Sequence, residues 1–132
     1  MRVLALDHGS ARCGAAVSDA TGALATPLEA IDRPDSRRGI GRVAAVVQER
    51  EAERVVVGLP LTLAGEEGAQ AGEARAFAQR LGERIAPVPV EMWDERLTTR
   101  QAERTGGRAD ADSRAAAHLL EAWLDAHRAE VS

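Results

Sequence analysis

The chain has 132 residues, a formal net charge of −4 from 17 basic and 21 acidic side chains, and 45% hydrophobic but only 2% aromatic residues. That length suits one domain, residues 1–132, with a core of Ala, Leu and Val; no repeat, linker or low-complexity tract divides it. No apolar run approaches a membrane span, no signal-peptide pattern precedes the first strand, and the lone Cys13 excludes an internal disulfide, so a reducing cytoplasm is the expected location. The acidic balance argues mildly against a nucleic-acid partner. Against that, every basic residue is arginine, the better fork for phosphate oxygens, and bound divalent cations would bring the balance near neutral.

The run Val3-Leu4-Ala5-Leu6 is continuously apolar and ends on Asp7, as expected for a strand buried on both faces. A turn of small residues (Gly9, Ser10, Ala11), then Arg12 and Gly14, leads into a second strand through Val17, and Leu24 to Ile31 predicts a third. Asp35-Ser36 opens a helix in which Ile40, Val43, Ala44 and Val47 share a face, reaching about Glu53. Arg54 to Pro60 is a short inner parallel strand closed by Gly58 and Pro60. After a polar loop, Leu61 to Gly68, comes a helix with Ala74, Phe77, Ala78, Leu81 and Ile85 on one face. Val88 to Trp93 is a proline-introduced edge strand running into Asp94-Glu95-Arg96. Thr98 and Gln101 form a capping-box pattern for a short helix through about Arg104; a Gly106-Gly107 loop and a closing helix, Asp112 to His127, complete the order.

Three strands followed by helix–strand–helix–strand–helix–helix predict an antiparallel meander extended by two parallel strands, a mixed five-stranded α/β sheet flanked by helices. Ligands bind beyond the carboxyl ends of such parallel strands. Asp7 ends strand one, Asp94 and Glu95 end strand five, and Asp112 opens the last helix. Asp112 lies four residues before Ala116 on the stripe with Leu119, Leu120 and Trp123, and is expected to point along the buried face toward the sheet. A carboxylate ending a buried strand needs a partner. Three such acids suit one or two Mg²⁺ or Mn²⁺ ions, hard cations that prefer oxygen, and two ions about 3.5–4 Å apart would clamp an in-line phosphoryl displacement.

Each residue has a plainer alternative. If strand four lies between strands one and five, their ends are roughly 9.5 Å apart. The loop after strand five must then fold back over strand four, and either Asp94 or Glu95 is the ligand; otherwise Glu95 is a loop acid paired with Arg96 or Arg100. Asp112 is a ligand or a helix N-cap, a role Asp110 can take instead. Arg12 is a phosphate contact or half of a surface ion pair. Arg96, Arg100 and Arg104 recur every four residues, as a grip on a phosphate backbone or as a solvated helix face. His8 points to the face opposite Asp7, Trp93 and Trp123 belong to the core or, where exposed, stack on a base, and Cys13 is a packing residue.

These motifs resemble the YqgF/RuvX family of RNase H-like nucleases, whose members are assigned to pre-16S rRNA processing or to Holliday junction resolution. Asp7, Gly9, Arg12, Gly14, Ala16, Ser18 and Asp19 match the family's opening pattern, and Val57 to Leu61 with Gly65 its middle element. Asp94 to Thr99 with Ala102 and Glu103 match its Asp-Glu-Arg-Leu-Thr-Thr motif, and Asp112, Ser113, Ala115 and Ala116 its last. The chain departs from it at Ala11, Ala109 and Asp110, where lysine is common, and at Thr62 and Ala64, where Asn and Asp are.

The resemblance implies an RNase H-like fold, metal-binding acids at Asp7, Glu95 and Asp112, and a metal-dependent nuclease acting on structured nucleic acid. The substrate it implies first is the 5′ end of the 16S rRNA precursor. Four-way DNA junctions are the alternative, which needs a symmetric homodimer in place of a monomer. A non-catalytic ribosome-assembly factor is a third reading. An actin-like kinase also opens on Asp-x-Gly but needs a second domain.

Overall fold

Val3–Asp7 (β1) forms the middle of the sheet, and Val3 to Leu6 are wholly buried, as their unbroken apolar run requires. The computed structural model describes residues 1–95 and 111–131. Antiparallel to β1 lies Arg12–Ser18 (β2), and antiparallel to that lies Ala25–Asp32 (β3). Arg54–Leu59 (β4) pairs parallel with β1, and Val90–Asp94 (β5) pairs parallel with β4 at the edge. The resulting order, β3-β2-β1-β4-β5, is the mixed sheet of an RNase H-like α/β fold.

Side chains alternate across each strand and so divide the core in two. Leu4, Leu6, Cys13, Ala15, Val55 and Val57 meet Arg37–Glu49 (α1) and Ala69–Ile85 (α2). On the other face Val3, Ala5, Ala16 and Val56 meet Ala111–Ala126 (α3). The same alternation puts Asp7 on the α3 face and His8 on the other. There the His8 side chain is 3% exposed, its ring lies 4.9 Å from that of Phe77, and its Nε2 is 3.0 Å from both carboxylate oxygens of Asp35.

Several boundaries differ from expectation. The first helix ends at Glu49, short of Glu53, because the chain must reverse to enter β4. Glu51 takes a left-handed φ of 54°, the Ala52 N–H donates to the Val47 carbonyl at 3.0 Å, and the Glu53 N–H donates to Arg2 at 2.8 Å, starting the parallel ladder. The edge strand begins at Val90, not Val88, whose N–H is taken by the Ile85 carbonyl. The closing helix stops at Ala126 and a further turn, Arg128–Val131 (α4), follows. The expected helix to Arg104 and the Gly106-Gly107 loop lie outside the described residues. No helix among the described residues is long and apolar enough to cross a membrane.

Candidate active site

Asp7 stands at the carboxyl end of β1 with glycines on both sides across the sheet. Gly14 of β2 is its antiparallel partner. The pairing of Leu6 with Val57 carries Gly58 of β4 alongside it on the other flank. Each glycine admits another acid. A Cβ on Gly14 would collide with the backbone carbonyl of Asp112, so its absence lets the start of α3 lie directly on β2. A Cβ on Gly58 would overlap the carboxyl group of Glu95, which lies over β4 at that point.

The Asp7 and Glu95 side chains are hydrogen-bonded to each other. Burial raises the Asp7 pKa above its ordinary 3.8; the hydrogen bond from Glu95 and the charge of His8 pull it down, and the negative charge of Asp112 pushes it up. Two hydrogen-bonded carboxyl groups require at least one proton between them. Asp112 is near enough for its charge to act on Asp7, but its carboxylate is turned to Arg12, with Nε 3.2 Å from Oδ2. Accordingly, among the described residues no group of three His, Cys, Asp or Glu side chains is drawn into a cluster that could hold a metal.

The expectation that Asp112 points inward along the buried stripe is corrected by its side chain, which is 44% exposed. The carboxylate turns to Arg12 from the first turn of the helix. The buried face spans Ser113, Ala116, Ala117, Leu119, Leu120, Trp123 and Leu124, and Asp112 lies toward one edge of it. Asp94 follows the alternation of Val90 and Met92, which pack with the α1/α2 core, whereas Glu95 follows Trp93, which packs on the α3 side with Asp7. Arg12 reaches the site as the ion-pair partner of Asp112. Arg96 and Arg100 lie outside the described residues.

A profile of the RuvX family, described as Holliday junction resolvase, matches residues 1–126. A protein of Rhodococcus erythropolis (strain PR4 / NBRC 100887) named "Putative pre-16S rRNA nuclease" is 46% identical over 137 residues, covering 94% of this chain and 77% of its own length. One of the same name from Mycobacterium sp. (strain KMS) is 47% identical over 141 residues, covering 99% of this chain and 83% of the relative. The chain belongs to the RuvX family. Its fold is also that of T. thermophilus RuvC, solved in complex with Holliday junction substrate: TM-score 0.60 at 18% identity, covering 98% of this chain and 96% of that one.

Three residues of this RuvX-family chain contribute to the site in ways the sequence did not announce. Gly58 reads as the end of a strand and Gly14 as the opening of one; a glycine inside a strand is the available signal for close approach. Ser113 is 1% exposed, and its Oγ accepts the Ala15 N–H at 3.3 Å. The β2–β3 register shifts between Cys13 and Ala15, and at that bulge the serine ties α3 to β2.

Proposed function

We propose that this chain is a divalent-metal-dependent nuclease that hydrolyses phosphodiester bonds of structured RNA, with the 5′ end of pre-16S rRNA as its substrate. The names of the close relatives supply the substrate, and the RuvX family membership supplies the reaction class. The observation that carries the chemistry is the Asp7–Glu95 hydrogen bond with the Asp112 charge beside it. Such a cluster is unfavourable on its own, since burial and like charge oppose ionisation, and a cation relieves both.

The donor set fits a hard cation. Asp7, Glu95 and Asp112 offer only oxygen, with Asp94 in reserve. The one thiol, Cys13, and the nearest imidazole, His8, belong to the opposite face. Held by these acids, Mg²⁺ or Mn²⁺ would neutralise charge on the scissile phosphate and acidify the attacking water. The residues' own part is then defined. Asp7 and Glu95 give up their shared proton and become acceptors only. Asp112 exchanges Arg12 for the site, and the freed guanidinium can donate to a non-bridging phosphate oxygen. Arg96 and Arg100, just beyond Glu95 in the chain, are the proposed further contacts to the nucleic-acid backbone.

A second reading, cleavage of four-way DNA junctions, follows from the description of the family profile. It requires two sites related by symmetry and therefore a homodimer, whereas the RNA reaction works in a monomer. One experiment separates them: end-labelled pre-16S rRNA, single-stranded RNA and four-way DNA junctions are incubated with protein and Mn²⁺ or Mg²⁺, beside Asp7→Asn. Cleavage of the rRNA precursor that disappears in EDTA and in the variant is expected. Cleavage that survives Asp7→Asn would remove this mechanism.

A further inference from the structure

We propose that Gly58 is a positioning residue for this reaction, opening the path along which Glu95 crosses β4 to reach Asp7. The inference rests on the proposed role of Glu95 and adds what brings it there. β4 separates β1 from β5, so the ends of those strands are two strand spacings, roughly 9.5 Å, apart. Glu95 closes that gap by laying its side chain across the α3 face of β4 at Gly58. The three atoms nearest to a Cβ built on Gly58 all belong to Glu95; two of them, Cγ and Cδ, lie 2.9 and 3.0 Å away.

The backbone gives no alternative reason for glycine at this position. Gly22 and Gly65 have positive φ values; Gly58 does not, and its conformation is open to any residue. Glycine also weakens the interior of a strand. What alanine would change here is therefore the route of one carboxylate, while the sheet itself can hold a methyl group. The choice between Asp94 and Glu95 follows from the same feature, because only the side chain on the face of Gly58 and Asp7 can use the opening.

The test compares Gly58→Ala, Glu95→Asp, Glu95→Gln and the double variant Gly58→Ala/Glu95→Asp in the full chain. Two readouts are used: thermal unfolding with EDTA or Mn²⁺ and no RNA, and Mn²⁺-dependent cleavage of a pre-16S rRNA fragment. Gly58→Ala is expected to unfold at or above the wild-type temperature in EDTA and to lose most of the Mn²⁺-induced rise. Its kcat should fall by about 100-fold, the effect of misplacing a reacting group by roughly 1 Å. KM should stay within about threefold, since binding of the nucleic acid is untouched.

Glu95→Asp keeps its Cγ where the Glu Cγ lies, 2.9 Å from the added methyl group, so the double variant should recover no activity over Gly58→Ala. Wild-type kcat and a full Mn²⁺ shift in Gly58→Ala, with Glu95→Gln inactive, would overturn this inference alone. An active Glu95→Gln would instead overturn the role of Glu95 itself. Should Gly58→Ala not fold, Gly58→Ala/Glu95→Gly removes the obstructed side chain and must fold; failure there would show that sheet packing sets Gly58, and the proposal would fall.

Discussion

Arg12 and Asp112 hold each other at 3.2 Å across 100 residues of sequence, one from the start of β2 and one from the first turn of α3. Both side chains are largely exposed, so the pair contributes about 0–1 kcal/mol to stability. Its importance lies in what each partner does when the other is withdrawn. In Arg12→Ala the unfolding temperature should move by no more than about 2 °C. Mn²⁺ should bind more tightly, because a competing cation has gone. KM for RNA should rise roughly tenfold and the salt slope of binding fall by about one, the signature of one lost phosphate contact. Calorimetric Mn²⁺ titration and anisotropy at several salt concentrations check the two arms. Weaker Mn²⁺ binding would make Arg12 an orienter of Asp112.

Gly14→Ala should behave differently from the Gly58 variant. At Gly14 the obstacle is backbone: the Asp112 carbonyl, which the new methyl group would overlap, and the Ser113 nitrogen 3.0 Å away. A helix cannot swing aside as a side chain can, so the strain spreads along α3. A loss of about 1–3 kcal/mol in urea unfolding is expected, the usual cost of overpacking. Mn²⁺ binding should weaken with it, since Asp112 moves with its helix.

Much of the architecture was legible because β1 and β4 are continuous apolar runs, which fix them as inner strands, and because α1 and α2 carry clean 3.6-residue stripes. Asp7 was legible too, as a charge ending a fully buried strand. The choice between Asp94 and Glu95 was not, since alternation says that they face opposite ways but not which way α3 lies. Nor did the sequence show how a carboxylate on β5 crosses β4; Gly58 looked like punctuation, and its use depends on a neighbour 37 residues away in sequence, Glu95. The placement of Asp112 failed for a smaller reason. The stripe through Ala116, Leu119, Leu120 and Trp123 is buried as expected, but the Asp112 carboxylate at the start of α3 turns to Arg12 instead of following it inward. The end of α1 carried no glycine signal because Glu51 itself takes the left-handed conformation.

Ser113→Ala tests the tie between α3 and β2. The Ala15 N–H at the bulge is buried and has the Ser113 Oγ as its partner at 3.3 Å. Alanine removes that acceptor, at a cost of about 0.5–1.5 kcal/mol. The loss should appear in urea unfolding, with faster hydrogen exchange at the Ala15 amide, the direct local readout. Ser113→Thr keeps the acceptor and should retain protection there.

Asp7→Asn should abolish cleavage while making the metal-free protein more stable at neutral pH. Burial and the nearby Asp112 raise the Asp7 pKa above 3.8, so the folded state holds this proton more tightly than the unfolded chain does. The linkage then runs opposite to that of a salt-bridged aspartate. The Asp7–Glu95 pair is most favourable at low pH, where its proton is bound. Its contribution falls as pH rises from the unfolded pKa through the raised folded one, and the full penalty applies above that. Asparagine has no such penalty and can still hydrogen-bond Glu95. Measured in EDTA, the variant's advantage in unfolding temperature should therefore be small near pH 4 and grow by a few degrees as pH rises through the raised Asp7 pKa. With saturating Mn²⁺ the order should invert, since only wild type gains the binding free energy of the ion. An advantage that instead shrank with rising pH would put the Asp7 pKa below its ordinary value, against the direction in which burial and the Asp112 charge push it.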